Sequence, residues 1–306
     1  MSGIPHFVIV GAPKCGTTSL GRYLARHPDI FLLRGEPHFF GTDIPYNSPR
    51  LSERQYRRLF RTAGRQRLLG ERSTWYLYSK NAAAEIRAFN PDARILILIR
   101  NPADMLYSLH GHQYHRGRRE DIGDFEQALD AEQARKQGRQ IPGNIRFREC
   151  LYYSEIPRYS EQIKRYFDTF GRERVKVVVF DDLRDDPAAV YSDVLQFLDA
   201  DRSFVPDFNI HNAAFPVKDT WLFRIWKKSP LRYAVRHMLP EPIYSGLRNA
   251  REKRLLRQAA AAPRAPMPAR VRARLNAEFY PEVAQLSELL DRNLMHWVAP
   301  NPPGFD

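Results

Sequence analysis

The segment His6-Phe-Val-Ile-Val-Gly-Ala-Pro-Lys14-Cys-Gly-Thr-Thr-Ser-Leu20 runs a short apolar stretch into a turn of glycine, lysine and threonine, and then into a helical pattern. A buried strand ending in glycines before a helix leaves backbone N–H groups converging with the positive end of that helix. Lys14, Thr17, Thr18 and Ser19 add a charge and hydroxyl donors, so the turn reads as an anion cradle for phosphate or sulfate. In a Walker A loop the lysine follows the last glycine and directly precedes Ser or Thr. Here Lys14 precedes Gly16, which disfavours a nucleotide triphosphatase.

A second element stands about 80 residues on. Ala93-Arg-Ile-Leu-Ile-Leu-Ile99 is a nearly continuous apolar run, as a strand covered on both faces of a parallel sheet requires. It ends at Arg100-Asn101-Pro102-Ala103-Asp104, where a capping Asn, a Pro at the first helical position and an acid in the first turn signal a helix start. Arg100 therefore falls at the carboxyl end of a central strand, in the crevice where open α/β sheets bind ligands. Ser108 lies two helical turns further on. A guanidinium fork suits a phosphate dianion.

Between these two elements and beyond them, strands alternate with helices, which indicates a parallel sheet with helices on its faces. The spacing predicts helices over Ser19–His27, Ser52–Arg61, Ala82–Phe89 and Tyr152–Phe170, and strands at Ile30–Leu33 and Val175–Phe180. An acidic turn, Asp181 to Asp186, and a helix through Leu198 follow the last of these. Its carboxylates could suggest a divalent metal, but turn and capping roles account for most of them. A further helix is expected over Val271–Trp297, broken near Pro281.

The first segment resembles the 5′-phosphosulfate loop of sulfotransferases that use 3′-phosphoadenosine 5′-phosphosulfate. With Arg34-Gly-Glu36-Pro-His38-Phe-Phe40 beside it, the chain is closer to the heparan-type and bacterial carbohydrate branch than to the cytosolic aryl and steroid branch. The segments Asp181–Leu198, Gly70–Tyr78 and 274–297 also look like parts of that family, so the resemblance spans most of the chain. It implies a P-loop-like three-layer α/β fold, a central parallel sheet flanked by helices, with a helical C-terminal region.

By the same resemblance, Lys14, Cys15, Gly16, Thr17, Thr18 and Ser19 would hold the 5′-phosphosulfate of the donor, and Arg100 with Ser108 its 3′-phosphate. Glu36 would be the base that takes a proton from an acceptor hydroxyl or amine, with His38 its nearest rival. Glycine and proline constrain its loop and the aromatic run can exclude water, a setting that could raise a carboxyl pKa. Lys14 would stabilise charge on the departing phosphate as the sulfuryl group moves in line. Ser73, Thr74 and Tyr76 are either acceptor contacts or core and capping residues. No metal is needed by this chemistry. His110, His112 and His115 read as exposed imidazoles at a helix end, with metal binding or proton shuttling as the alternative. A P-loop-like nucleotide kinase and a non-catalytic nucleotide-binding protein remain the competing readings.

Length and composition agree. The 306 residues suit one α/β domain with appended helices, 1–306, carrying a basic helical insertion at about 212–270. The two cysteines offer neither a disulfide framework nor zinc spacing, and Cys15 reads as a small filler of the loop more than as a reactive thiol. From Pro216 to Arg274 fifteen Lys and Arg face three Asp and Glu, a net of twelve out of the chain's +13. That excess is an acceptor surface, an element resting on an anionic membrane, or a solvated face over aromatics. No nucleic-acid motif accompanies it. No apolar run reaches membrane-spanning length, and the first hydrophobic stretch is the loop strand itself, so a cytoplasmic protein is expected, with peripheral contact at the inner membrane face as one option. The partner expected is a small-molecule or glycan acceptor; the sequence does not define an oligomeric state.

Overall fold

The computed structural model describes residues 3–46, 49–117, 119–143, 145–208 and 265–299. The chain divides into two compact units, Met1–Asn209 with Met267–Asp306, and Ile210–Pro266. All the elements below belong to the first. The basic subregion falls almost wholly outside the described residues, and with it the three readings of its charge.

Five strands form one parallel sheet: β1 (Phe7–Gly11), β2 (Ile30–Leu32), β3 (Leu68–Arg72), β4 (Arg94–Ile99) and β5 (Val175–Val179), in the order β2-β3-β1-β4-β5. Phe7 to Val10 and Ile95 to Ile99 are wholly buried, which is why these two strands read as apolar runs without alternation. β1 sits at the middle of the sheet. The chain leaves it toward β2 and β3 on one side and later lays β4 and β5 on the other, a topological switch that opens a crevice at the carboxyl ends.

β3 carries no such signature. Its sequence Leu68-Leu-Gly-Glu-Arg72 holds a glycine and two charges, yet it fills the slot between β1 and β2, with Phe7 opposite Gly70 and Ile9 opposite Arg72. A Cβ on Gly70 would lie 2.1 Å from the Phe7 ring, so the aromatic ring occupies the space a side chain there would need.

Among the described residues the α-helices are α1 (Thr17–Leu24), α2 (Glu53–Leu59), α3 (Ala82–Phe89), α4 (Pro102–His112), α5 (Phe125–Asp130), α6 (Glu132–Lys136), α7 (Tyr159–Phe170), α8 (Phe180–Asp185), α9 (Pro187–Phe197) and α10 (Ala269–Leu290). Ser52 caps α2 in a reciprocal capping box with Gln55. Asn101 caps α4 by accepting from the N–H groups of Ala103 and Asp104 at 2.9 and 3.3 Å, with Pro102 at the first position as its sequence signals.

Several expectations are corrected. The single helix over 152–170 begins only at Tyr159, after short 3-10 turns at Arg148–Leu151 and Tyr153–Glu155. Pro157 has no N–H to give, and although Ile156 keeps helical backbone the break comes at Arg158 (φ −81°, ψ 61°), which precedes the first residue of α7. The acidic turn after β5 is a helix, α8, and Asp186 then caps α9 through the Ala189 N–H at 2.9 Å. α10 runs unbroken through Pro281. Its buried face of Val271, Leu275, Phe279, Val283 and Leu286 offsets the one backbone bond that proline deletes.

Candidate active site

α1 begins two residues earlier than its sequence suggests, at Thr17, because Gly16 serves as the cap in a left-handed conformation (φ 88°). A Cβ on Gly16 would meet Leu183 and Phe180 of α8 at 2.9 and 3.0 Å, so only glycine lets the loop lie this close to α8. No side chain caps α1; the Ser19 N–H donates to the Gly16 carbonyl at 2.9 Å, and the N–H groups of Thr17 and Thr18 are the first-turn donors an oxyanion would satisfy. Lys14 also has positive φ, at 64°, and is half-buried, as are Thr18 and Ser19; Thr17 and Cys15 are buried. Burial pushes the Cys15 thiol up to about 12, so it is an inert filler at neutral pH.

Arg100 reaches this loop. Its Nη1 donates to the Lys14 carbonyl at 3.4 Å and its guanidinium lies 4.5 Å from the Phe180 ring centre. The loop after β1 and the end of β4 are thus brought together, as the ligand crevice requires. Ser108 is half-buried on α4 and stands apart from the contacts that join the others.

Glu36 lies on the loop after β2. Its Oε2 accepts from the Thr74 N–H at 3.2 Å and the Thr74 hydroxyl at 3.0 Å. His38 Nε2 stands 3.7 Å from the same oxygen and Arg72 Nε 4.0 Å from Oε1. The Glu36 side chain retains 26% exposure, so the carboxylate faces both protein and solvent. His38 stacks on Tyr46 with ring centres 4.1 Å apart. Burial holds its imidazole below the usual range; Glu36 opposes that effect while Arg119 and Arg50 add to it. Arg50 donates to the carbonyls of Phe39, Phe40, Gly41 and Ile44 at 2.7 to 3.1 Å, tying the loop into one shape.

Ser73 and Tyr76 are wholly buried and hold main chain: Ser73 Oγ accepts from the His38 N–H at 3.2 Å and the Tyr76 hydroxyl from the Phe40 N–H at 3.1 Å. Of the three residues weighed as acceptor contacts, Thr74 alone touches the Glu36 carboxylate. His110 is also not the exposed imidazole its sequence suggests. It is buried beside Phe125 and Tyr153, with Nε2 2.9 Å from the Ile122 carbonyl. Among the described residues no group of three His, Cys, Asp or Glu is placed to hold a metal ion. No described helix is long and apolar enough to cross a membrane.

Arg72 is the site residue that sequence reasoning did not single out. Its Nη1 donates to the Thr17 carbonyl at 3.3 Å while Nε faces Glu36, so one side chain joins the cradle to the carboxylate. The missing signal was β3 itself: once that strand is placed beside β1, Arg72 occupies a carboxyl end just as Arg100 follows β4.

A sulfotransferase domain model matches residues 4–218. The chain belongs to the sulfotransferase family. As a sulfotransferase it is an enzyme of sulfuryl transfer, and known proteins agree. It is 30% identical to a sulfotransferase from Alicyclobacillus acidocaldarius, with a TM-score of 0.71 over 96% of this chain and 99% of that one. It is 26% identical over 228 residues to the mouse (Mus musculus) bifunctional heparan sulfate N-deacetylase/N-sulfotransferase 4, covering 71% of this chain and 24% of that protein. To the human (Homo sapiens) heparan sulfate glucosamine 3-O-sulfotransferase 6 it is 34% identical over 101 residues, 32% of this chain and 27% of that one. The chain thus spans about a quarter of the length of these curated relatives.

Proposed function

We propose that this sulfotransferase moves the sulfuryl group of 3′-phosphoadenosine 5′-phosphosulfate to a hydroxyl or amine of a carbohydrate, glycolipid or small metabolite, with Glu36 as the base. The observation that carries the reading is the meeting of the uncapped Gly16–Ser19 turn with Arg100, 3.4 Å from the Lys14 carbonyl, beside a half-open carboxylate. A ligand with anionic groups at two ends fits that pair of sites, and the donor supplies the activated sulfuryl group. Lys14, Cys15, Gly16, Thr17, Thr18 and Ser19 hold its 5′ end; Arg100 and Ser108 hold the 3′-phosphate.

Each residue then has a physical task. Lys14 and the α1 N-terminus stabilise the negative charge that grows on the departing phosphate. Thr74 saturates Oε2 of Glu36 and orients the carboxylate, which leaves Oε1 to take the acceptor proton. His38, whose imidazole burial holds below its usual range, stands 3.7 Å from Oε2 of the same carboxylate and is the rival base. Thr74 and His38 face the acceptor. The N- and 3-O-sulfotransferase relatives support an amine or hydroxyl acceptor on a glycan.

Calorimetry with 3′-phosphoadenosine 5′-phosphate in the presence of a chelator tests the reading. Micromolar or tighter binding without magnesium, lost in Arg100→Ala, is the expected result. Magnesium-dependent binding of ATP in its place would move the chain to the nucleotide-kinase reading.

A further inference from the structure

The loop from Glu36 to Tyr46 lies between β2 and α2 and belongs to neither helix nor strand. Its N–H and C=O groups therefore need partners from elsewhere. The N–H groups find them on the segment after β3 and on α3. Besides Ser73 and Tyr76, which accept from His38 and Phe40, Glu85 of α3 accepts from the Gly41 N–H at 2.6 Å, the Thr42 N–H at 3.2 Å and the Thr42 hydroxyl. The carbonyls turn to a single cation. Arg50 donates from Nη1 to Phe39 and Phe40 at 3.0 and 3.1 Å and from Nη2 to Gly41 and Ile44 at 2.7 and 3.0 Å.

Arg50 also bears on His38 from a second side. Its guanidinium lies 5.8 Å from the centre of the Tyr46 ring, the ring on which His38 stacks. His38 itself has a positive φ of 49°, a backbone conformation that a non-glycine residue keeps when its surroundings hold it there. An ammonium could not replace this guanidinium. The planar fork presents its terminal N–H groups from two nitrogens at a fixed spacing, whereas lysine offers three from one strongly hydrated atom. The described partners of Arg50 all lie between His38 and Tyr46, and none belongs to the Lys14–Ser19 turn or to Arg100.

We propose that Arg50 is a positioning residue for the acceptor side of the site: its guanidinium fixes the loop that places Glu36 and His38, and takes no part in holding the donor nucleotide. This rests on the reading of that loop as the source of the base. The site then has two separately held halves, a donor half built on the ends of β1 and β4 and an acceptor half built on a loop clamped between Glu85 and Arg50.

The test is Arg50→Lys, which keeps the charge and removes the fork. It is read by amide hydrogen exchange, by NMR titration of the His38 imidazole and by calorimetry with adenosine 3′,5′-bisphosphate. The N–H groups of His38, Phe40, Gly41 and Thr42 are expected to exchange about tenfold faster or more. Burial, with Arg119 and Arg50 adding to it and Glu36 opposing, holds the His38 imidazole below its usual range. With the charge kept and the cover loosened, its titration is expected to move up toward the ordinary value of about 6.5. Bisphosphate affinity is expected to stay within about twofold of wild type, as for sites that share no partners. Unchanged exchange, an unmoved His38 titration, or a bisphosphate loss in proportion to the faster exchange would each overturn the role. If Arg50→Lys does not fold, Arg50→Gln, which keeps one N–H pair, is read by exchange and affinity with the same outcomes. A wild type that does not bind the bisphosphate would sink the donor reading and leave the loop measurements to decide on Arg50.

Discussion

Two acids, Glu120 and Glu36, show how differently this fold uses a glutamate. Glu120 is wholly enclosed with Arg135: the guanidinium grips both its oxygens at 2.6 and 2.8 Å, Tyr153 donates to Oε2 at 2.7 Å, and the N–H groups of Asp121 and Ile122 donate to Oε1 at 2.9 Å each. Burial alone would raise its carboxyl, but Arg135, Tyr153 and the backbone N–H of Ile122 override it and hold the pKa below the usual range. Every lone pair is spent. Glu36 has Oε2 saturated by Thr74 and only a 4.0 Å guanidinium near Oε1, and it keeps contact with solvent. The first acid fixes the segment between α4 and α6; the second keeps an oxygen, Oε1, with no donor closer than 4.0 Å among its described contacts.

The largest effect that would break this contrast is on stability. Arg135→Met leaves Glu120 buried and uncompensated, so a loss of about 3–5 kcal/mol is expected in urea unfolding, with turnover intact well below the transition. A turnover loss out of proportion to the destabilisation would show that the buried pair takes part in catalysis. Glu36→Gln is expected to do the opposite: turnover falls roughly a hundredfold or more, with nucleotide affinity and melting temperature kept. If His38→Ala gives that pattern and Glu36→Gln does not, the base is the imidazole.

A third acid sharpens the comparison with a smaller effect. Glu71 on β3 is fully buried, its carboxyl oxygens have no partner at hydrogen-bonding geometry, and burial pushes it up to about 8, against the weaker opposing influence of Tyr56 and Tyr76. Above the ordinary carboxyl value the unfolded chain releases a proton that the folded chain still holds. Stability therefore falls as pH rises from about 4.5 toward about 8. Relative to Glu71→Gln, the wild type is expected to lose about 2 kcal/mol between about pH 5.5 and about pH 7.5, measured as parallel denaturation curves. Coincident curves would mean that Glu71 is ionised in the fold.

The legible parts of the chain are those whose cause is local. The strand-turn-helix at His6–Leu20 and the Asn-Pro-x-Asp start of α4 carry their donors, caps and apolar runs within a few residues, and the cradle with Arg100 was readable from them. β3 was not, because a strand with a central glycine and two charges follows no period; its place is set by the Phe7 ring against Gly70 and by neighbours on both sides. Arg72, which depends on that placement, went unseen with it. For Ser73 and Tyr76 the family resemblance leaves acceptor contact and core or capping roles both open, and the structure shows their hydroxyls accepting from the main chain of the loop that carries His38. The burial of His110 is not legible for the same reason: the aromatic residues that cover it come from α5 and the 3-10 turn at Tyr153.

By itself the sequence determined the glycine turn between β1 and α1, the capped start of α4 after Arg100, the parallel α/β class and the acid on the loop after β2, because each rests on covalent neighbours, hydrogen-bond caps and runs of buried aliphatics. Only the tertiary structure decided which acid is satisfied, which is left open, and where Arg72 stands. Those facts depend on residues far apart in the chain competing for the same few donors, a competition that is settled only once the helices are packed.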